Sequence, residues 1–154
     1  SSLLIGDFDC VEESNLNRQF YFYDQIGQKK TDSLEINLKR INPSAVIYKM
    51  NKKFIFPEDI NLFEECEIII EGFDQVSDKI SLIETFSNTD KKIISANGIA
   101  GFYSDKITVR KGNQVWIVGD FQSEITKNPT YSHKVQIIAC KMAEIAIKEG
   151  GFLA

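Results

Sequence analysis

Gly6-Asp7-Phe8-Asp9-Cys10-Val11-Glu12-Glu13-Ser14-Asn15-Leu16-Asn17-Arg18-Gln19 is the stretch whose reading decides the fold. It follows Leu3-Leu4-Ile5, a short apolar run of the kind found in strands buried within a parallel sheet. Asp7 then falls where that strand ends. In doubly wound folds an acid at the end of the second strand accepts hydrogen bonds from a nucleotide ribose. Eleven positions on, Arg18 offers a planar fork of donors suited to phosphate oxygens. Asn15 lies between them and can donate from its amide. Singly, each has an ordinary reading: a turn Asp, a solvated loop Arg. As an ordered string they carry more weight.

Working outward, the chain of 154 residues fits one domain, 1–154, with enough length for a core that needs no staples. Net charge is −4, and no basic run or basic–aromatic stripe is present, so nucleic acid is not an expected partner. No apolar segment approaches a membrane span, and the N-terminus lacks a signal-peptide pattern. Cys10, Cys66 and Cys140 are widely spaced, without a C-x-x-C pair, so no zinc is expected. Free thiols point to a reducing compartment, the cytoplasm.

Downstream, Phe20-Tyr21-Phe22-Tyr23 reads as aromatic packing beneath the loop. A helix is expected from Lys30 to about Arg40, with Leu34, Leu38 and Ile41 on one buried face. Lys30 falls in its first turn, a poor place for a cation unless an anion is near. Asn42-Pro43 stops this helix, and Ala45-Val46-Ile47-Tyr48 is the next strand. Pro57-Glu58-Asp59 opens a further helix to about Cys66. Ile68-Ile69-Ile70 reads as a strand covered on both faces. Asp74 follows at its carboxyl end, on the rim expected to carry Asp7. Its carboxylate either holds Mg²⁺ against phosphates or caps the Ser77–Phe86 helix.

Lys92-Ile93-Ile94-Ser95-Ala96 is a strand closed by Asn97-Gly98. Ile107-Thr108-Val109-Arg110 and Val115-Trp116-Ile117-Val118 flank a turn and read as an antiparallel hairpin. Ser132 caps a last helix with Val135, Ile138, Met142 and Ile145 on its inner face, and Cys140 reads as a small core residue. His133 reads as a surface or capping residue, and Gly150-Gly151 as a helix stop. The fold class is therefore α/β, Rossmann-like and three-layered, with a mostly parallel sheet and an antiparallel extension.

Asp-Phe-Asp-x-Val-Glu-x-Ser-Asn-Leu-Asn-Arg-Gln closely resembles the signature of the ThiF/MoeB family, relatives of the ubiquitin-activating enzymes. Gly27-Gln28-Lys29-Lys30 resembles the family's Gly-x-Pro-Lys segment, with Lys29 in place of the Pro. Phe73-Asp74-Gln75 keeps the acid of the family's Thr-Asp-Asn but neither flank. The resemblance runs from Leu3 to about Val109 and is closest to compact ThiF-type proteins of thiamine biosynthesis. A nucleotide-binding unit of this kind also needs an earlier strand and a Gly-x-Gly-x-x-Gly turn about 20 residues before Asp7. The sequence as given reads as N-terminally incomplete in that respect.

The resemblance implies an ATP- and Mg²⁺-dependent adenylyltransferase. Its substrate would be the C-terminal glycine carboxylate of a small ubiquitin-like, ThiS-like sulfur carrier protein. It further implies Asp7 on the ribose, Asn15, Arg18 and Lys30 on the phosphates, Asp74 on Mg²⁺, and a homodimer. Two other readings remain open: a non-catalytic carrier-binding scaffold of the same fold, and a dinucleotide-binding Rossmann oxidoreductase. In the latter, Arg18 and Lys30 would lack an obvious role.

Overall fold

The computed structural model describes residues 2–152. They form two compact units, divided in sequence between Phe54 and Ile55.

In the first unit, β1 (Ser2–Gly6) lies parallel to β2 (Val46–Met50), with Leu4 opposite Tyr48. The crossover between them carries a long loop and α1 (Lys30–Ile41). Parallel strands require such a crossover. Asn42 ends α1: its N–H reaches Leu38 O, and its side chain accepts the N–H of Ser44. The buried face of α1 differs from the apolar stripe expected. Thr31, Ser33 and Asn37 are buried, whereas Ile41 is 81% exposed. The reason is Gln25, whose carboxamide lies under α1 and exchanges two hydrogen bonds with that of Asn37, at 2.9 and 3.1 Å. A paired amide can be buried at little cost, which accounts for Asn37; the Ser33 hydroxyl on the same face is buried without a partner among the described residues.

The same anchor corrects the aromatic cluster. Asn37 also donates to Phe20 O, and Gln25 accepts the Phe22 N–H. The backbone of this segment is thus tied inward, and Phe20, Phe22 and Tyr23 are exposed rather than packed beneath the loop. Only Tyr21 is half-buried. The Arg40 guanidinium lies 5.7 Å from the Phe22 ring.

The second unit is built on a four-stranded sheet. Its strands are β3 (Ile68–Ile70), β4 (Lys92–Ala96), β5 (Thr108–Gly112) and β6 (Val115–Gly119), in the order β3-β4-β6-β5. β3, β4 and β6 are parallel, and β5 is antiparallel to β6. The hairpin expected from the sequence is therefore present, with Asn113 at φ +48° in its turn. Alternate side chains of β4 serve opposite faces. Ile93 packs with Leu82 and Phe86 of α2 (Val76–Phe86), and Ile94 packs with Ile138, Met142 and Ile145 of α3 (Ser132–Glu149). Helix, sheet and helix make three layers in this unit.

Several segments differ from the expectation read from the sequence. Pro57–Cys66 is not a helix but a set of turns around the short 3-10 segment Ile60–Phe63. Phe56 and Phe63 turn inward to pack on the Phe86 ring at 5.7 and 5.9 Å, and Asp59 accepts the Ile55 N–H. Those anchors hold the segment in turns rather than in a continuous helix. β3 is an edge strand: Ile69 is buried but Ile70 is 55% exposed, so the strand is not covered on both faces. Tyr131, not Ser132, is the N-cap of α3, and the Ser132 hydroxyl instead accepts from Gln136. Cys140 is exposed on α3, away from its buried stripe. Among the described residues no helix is long and apolar enough to cross a membrane.

The parallel strands place Glu71, Asn97 and Asp120 at one end of this sheet. β4 and β6 approach closely there. A Cβ on Gly119 would lie 1.7 Å from Asn97 O, and Gly98 takes φ +77° beside Asp120. The buried Lys134 of α3 ties this end together, donating to Asp120 Oδ2 at 2.7 Å and to Ala100 O.

Candidate functional site

The signature loop is shaped by main-chain pairing rather than by its polar side chains. Val11 is fully buried, and its N–H and C=O bond to Gln28 O and Gly27 N, both at 2.8 Å. Lys30 N donates to Asp9 O at 3.0 Å, and Cys10 and Lys29 form an antiparallel bridge. The loop after β1 therefore folds back along the segment entering α1. Gly27 permits the turn, with φ +86°.

This pairing brings Lys30 to the end of β1. Its Nζ lies 2.8 Å from Asp9 Oδ2 and 3.6 Å from Asp7 Oδ2. The cation at the first position of α1 is offset by two carboxylates, which answers the unfavourable dipole. Asp7 itself is held in a turn, its Oδ1 accepting the Asp9 N–H at 2.9 Å. Burial, and then the charge of Asp7, pushes the Tyr21 phenol up to about 12. Tyr21 thus lies close to the Asp7 carboxylate.

Asn15 and Arg18 share one turn, joined by Arg18 N to Asn15 O at 3.0 Å. Asn15 is buried and its Oδ1 accepts the Glu12 N–H, which closes the 3-10 turn Glu13–Asn15. Its carbonyl oxygen is thus structural, and its Nδ2 is the end with donors to offer. The Arg18 guanidinium folds onto its own turn, with Nη1 donating to Ser14 O at 2.8 Å and to Asn17 Oδ1 at 2.9 Å. Among the described residues Nε and Nη2 have no hydrogen-bond partner.

Asp74 belongs to the second unit, in the turn between β3 and α2. Gln75, not Asp74, is the N-cap of α2, and no side chain makes a capping bond there. The Asp74 carboxylate is exposed and receives no hydrogen bond from the described residues. Among the described residues no three His, Cys, Asp or Glu side chains cluster to hold a metal unaided. A single open carboxylate suits Mg²⁺ that keeps its waters and arrives on phosphates, so the donor set fits that ion.

Three further residues belong to these arrangements and carry little mark in the sequence. Asp9 is the nearer partner of Lys30, and the fold-back that joins them leaves no short-range pattern. Tyr21 sat within an aromatic run and had no mark of its own. Glu71 is buried at the base of the Asp74 turn. An acid directly after an apolar strand was its only available signal.

Parallel strands joined by helical crossovers, with polar residues after their carboxyl ends, define a Rossmann-like α/β fold. The chain belongs to the ThiF family, whose model matches residues 1–148 and so runs through both units. Ubiquitin-like modifier-activating enzyme 5 of Arabidopsis thaliana is 47% identical over 45 residues, 29% of this chain and 10% of that protein. Molybdopterin-synthase adenylyltransferase of Escherichia coli (strain K12) is 35% identical over 77 residues, 49% of this chain and 31% of that protein. The matches thus span less than a third of either relative. Among solved structures, the E. coli tRNA N6-threonylcarbamoyladenosine dehydratase TcdA in complex with ATP has a TM-score of 0.74 at 16% identity, covering 93% of this chain and 77% of that one. E. coli MccB with ATP has a TM-score of 0.71 at 19% identity, covering 96% and 47%.

Proposed function

We propose that this protein is an ATP-dependent adenylyltransferase acting on the C-terminal glycine carboxylate of a small ubiquitin-like sulfur carrier, a ThiS-like protein of thiamine synthesis. The observation that carries the proposal is the fold-back that delivers Lys30 to Asp7. It sets Lys30, the first residue of α1, beside Asp7 at the carboxyl end of a parallel strand, where a ribose acceptor and a phosphate-binding cation would serve a nucleotide. Membership of the ThiF family supports it, as do ATP complexes among proteins of the same fold.

In the reaction, a carboxylate oxygen of the carrier attacks the α-phosphorus of ATP. The bond from that phosphorus to the bridging oxygen breaks, and pyrophosphate leaves. Both reactants are anions, so neutralising charge matters more than moving protons. The attacking carboxylate is already ionised at neutral pH and needs no base. Asp7 fixes the ribose and so sets the position of the α-phosphorus. Arg18 and Lys30 would neutralise the phosphates, with the Asn15 amide donating beside them. Asp74 would hold Mg²⁺, which when bound shields the phosphate charge. The protein would work in the cytoplasm as a homodimer.

The test is carrier-dependent ATP–pyrophosphate exchange by the full-length protein and its Arg18→Ala variant. The expected result is exchange in the parent and none in the variant, with an unchanged thermal transition. Unchanged exchange in Arg18→Ala would overturn the role given to that residue. Thermal stabilisation by NAD and not by ATP with Mg²⁺ would overturn the activity itself.

A further inference from the structure

We infer that Glu71 is a positioning residue that fixes the turn carrying Asp74; the inference rests on the metal-holding role proposed for Asp74. The Glu71 side chain is fully buried. Lys79 donates to both of its oxygens, at 2.8 and 3.1 Å. Ser95 Oγ, from the neighbouring strand β4, donates to Oε2 at 2.5 Å, and the Phe73 N–H donates to Oε1. The Glu71 main chain is held as well, its N–H reaching Ile94 O at 2.9 Å.

These bonds join three elements. Ser95 ties Glu71 to the sheet, Lys79 ties it to the first turns of α2, and the Phe73 N–H ties it to the turn between them. Phe73 is also gripped from the other side, its ring packed edge-on to Phe56 at 6.4 Å within the apolar cluster around Phe86. Gln75, on the far side of Asp74, accepts the Lys79 N–H at 3.2 Å. Asp74 is thus the exposed tip of a turn fixed at both flanks.

Stability alone does not call for this arrangement. A buried ion pair adds little over an apolar pair of the same volume, because both charges must leave water. Its use lies in defining one geometry. A carboxylate that approaches Mg²⁺ on a nucleotide must be held in place beforehand, and its supporting shell does that. Lys79 also lies near the positive end of α2, where a cation is disfavoured unless an acid offsets it. Glu71 is that acid.

The experiment compares Glu71→Ala, Glu71→Gln and Asp74→Asn in the full-length protein, using Mn²⁺ with the non-hydrolysable analogue AMPCPP. Two quantities are read: half-saturation by Mn²⁺ from its electron paramagnetic resonance signal, and amide exchange of residues 72–75 in the metal-free protein. Glu71→Ala is expected to speed exchange in that turn and raise the half-saturation point about tenfold. Glu71→Gln keeps one acceptor for the Phe73 N–H and should recover part of both losses. Asp74→Asn should weaken Mn²⁺ binding without speeding exchange. If Glu71→Ala does not fold, Glu71→Gln and Lys79→Gln carry the comparison, each with a smaller shift in the same direction. Folded Glu71 variants that bind Mn²⁺ like the parent, while Asp74→Asn binds it weakly, would overturn the inference and leave the role of Asp74 standing. Parent-like binding by Asp74→Asn would remove the metal reading and this inference together.

Discussion

Lys30 Nζ sits 2.8 Å from Asp9 Oδ2, and this ion pair occupies the cation proposed to meet the nucleotide phosphates. A triphosphate arriving there competes with Asp9. Replacing Asp9 by Asn removes the competitor and one negative charge beside the phosphates. The Asp9 side chain is 44% exposed while that of Lys30 is largely covered. Taking the pair at about 1 kcal/mol, the upper end for exposed pairs, Asp9→Asn should tighten ATP binding by roughly fivefold or more. Titration of ATP with Mg²⁺ against parent and variant checks this. Weaker binding would mean that Asp9 holds Lys30 in its productive place.

The Gln25–Asn37 amide pair predicts a stability effect with no counterpart in an apolar stripe. Asn37→Ala removes both hydrogen bonds between the two carboxamides, leaves Gln25 Nε2 with only a 3.5 Å bond to Ser33 O, and strips Phe20 O of its donor. An unsatisfied buried polar group costs about 1–3 kcal/mol. Urea unfolding should show that loss. Near-neutral behaviour would mean that the pair is replaced by water.

Asp120 and Lys134 predict a pH dependence. Burial alone would raise the Asp120 carboxyl, but hydrogen bonds from Lys134, and from Ser123 and Gln122, hold it well below the usual carboxylate range. A carboxyl lowered by folding contributes stability above its unfolded value of about 4, and that contribution is lost as pH falls through the folded value. Lys134→Met leaves Asp120 without its buried cation and should cost about 3–5 kcal/mol at neutral pH. The gap between parent and variant should narrow as pH drops below about 4. Denaturant midpoints across that range provide the measurement. A gap independent of pH would place the stabilisation outside this pair.

Gly119 predicts a steric effect. A Cβ there would lie 1.7 Å from Asn97 O, which is main chain and cannot swing aside. Gly119→Ala should therefore destabilise by more than about 2 kcal/mol. Gly112→Ala is the control, since open space surrounds that position. Equal melting temperatures for the two variants would contradict the close approach of β4 and β6.

Much of the chain follows from local pattern. β1, α1, β2, β4, the β5–β6 hairpin and α3 lie where periodicity, turn residues and helix stops place them, because those signals act over a few residues. The family was also legible, since Asp7–Gln19 is contiguous. Residue type and order thus determined the elements and the class of protein. Tertiary structure decided which faces are inside and which side chains meet. Gln25 turned the inner face of α1 polar, edge placement exposed Ile70, and aromatic anchors left Pro57–Cys66 without a helix. Lys30 and Asp9 lie 21 positions apart in sequence, and Glu71 and Ser95 lie 24 apart. Those pairings depend on how the chain folds back on itself, and hydrogen-bond partners that distant leave no periodic trace in the sequence.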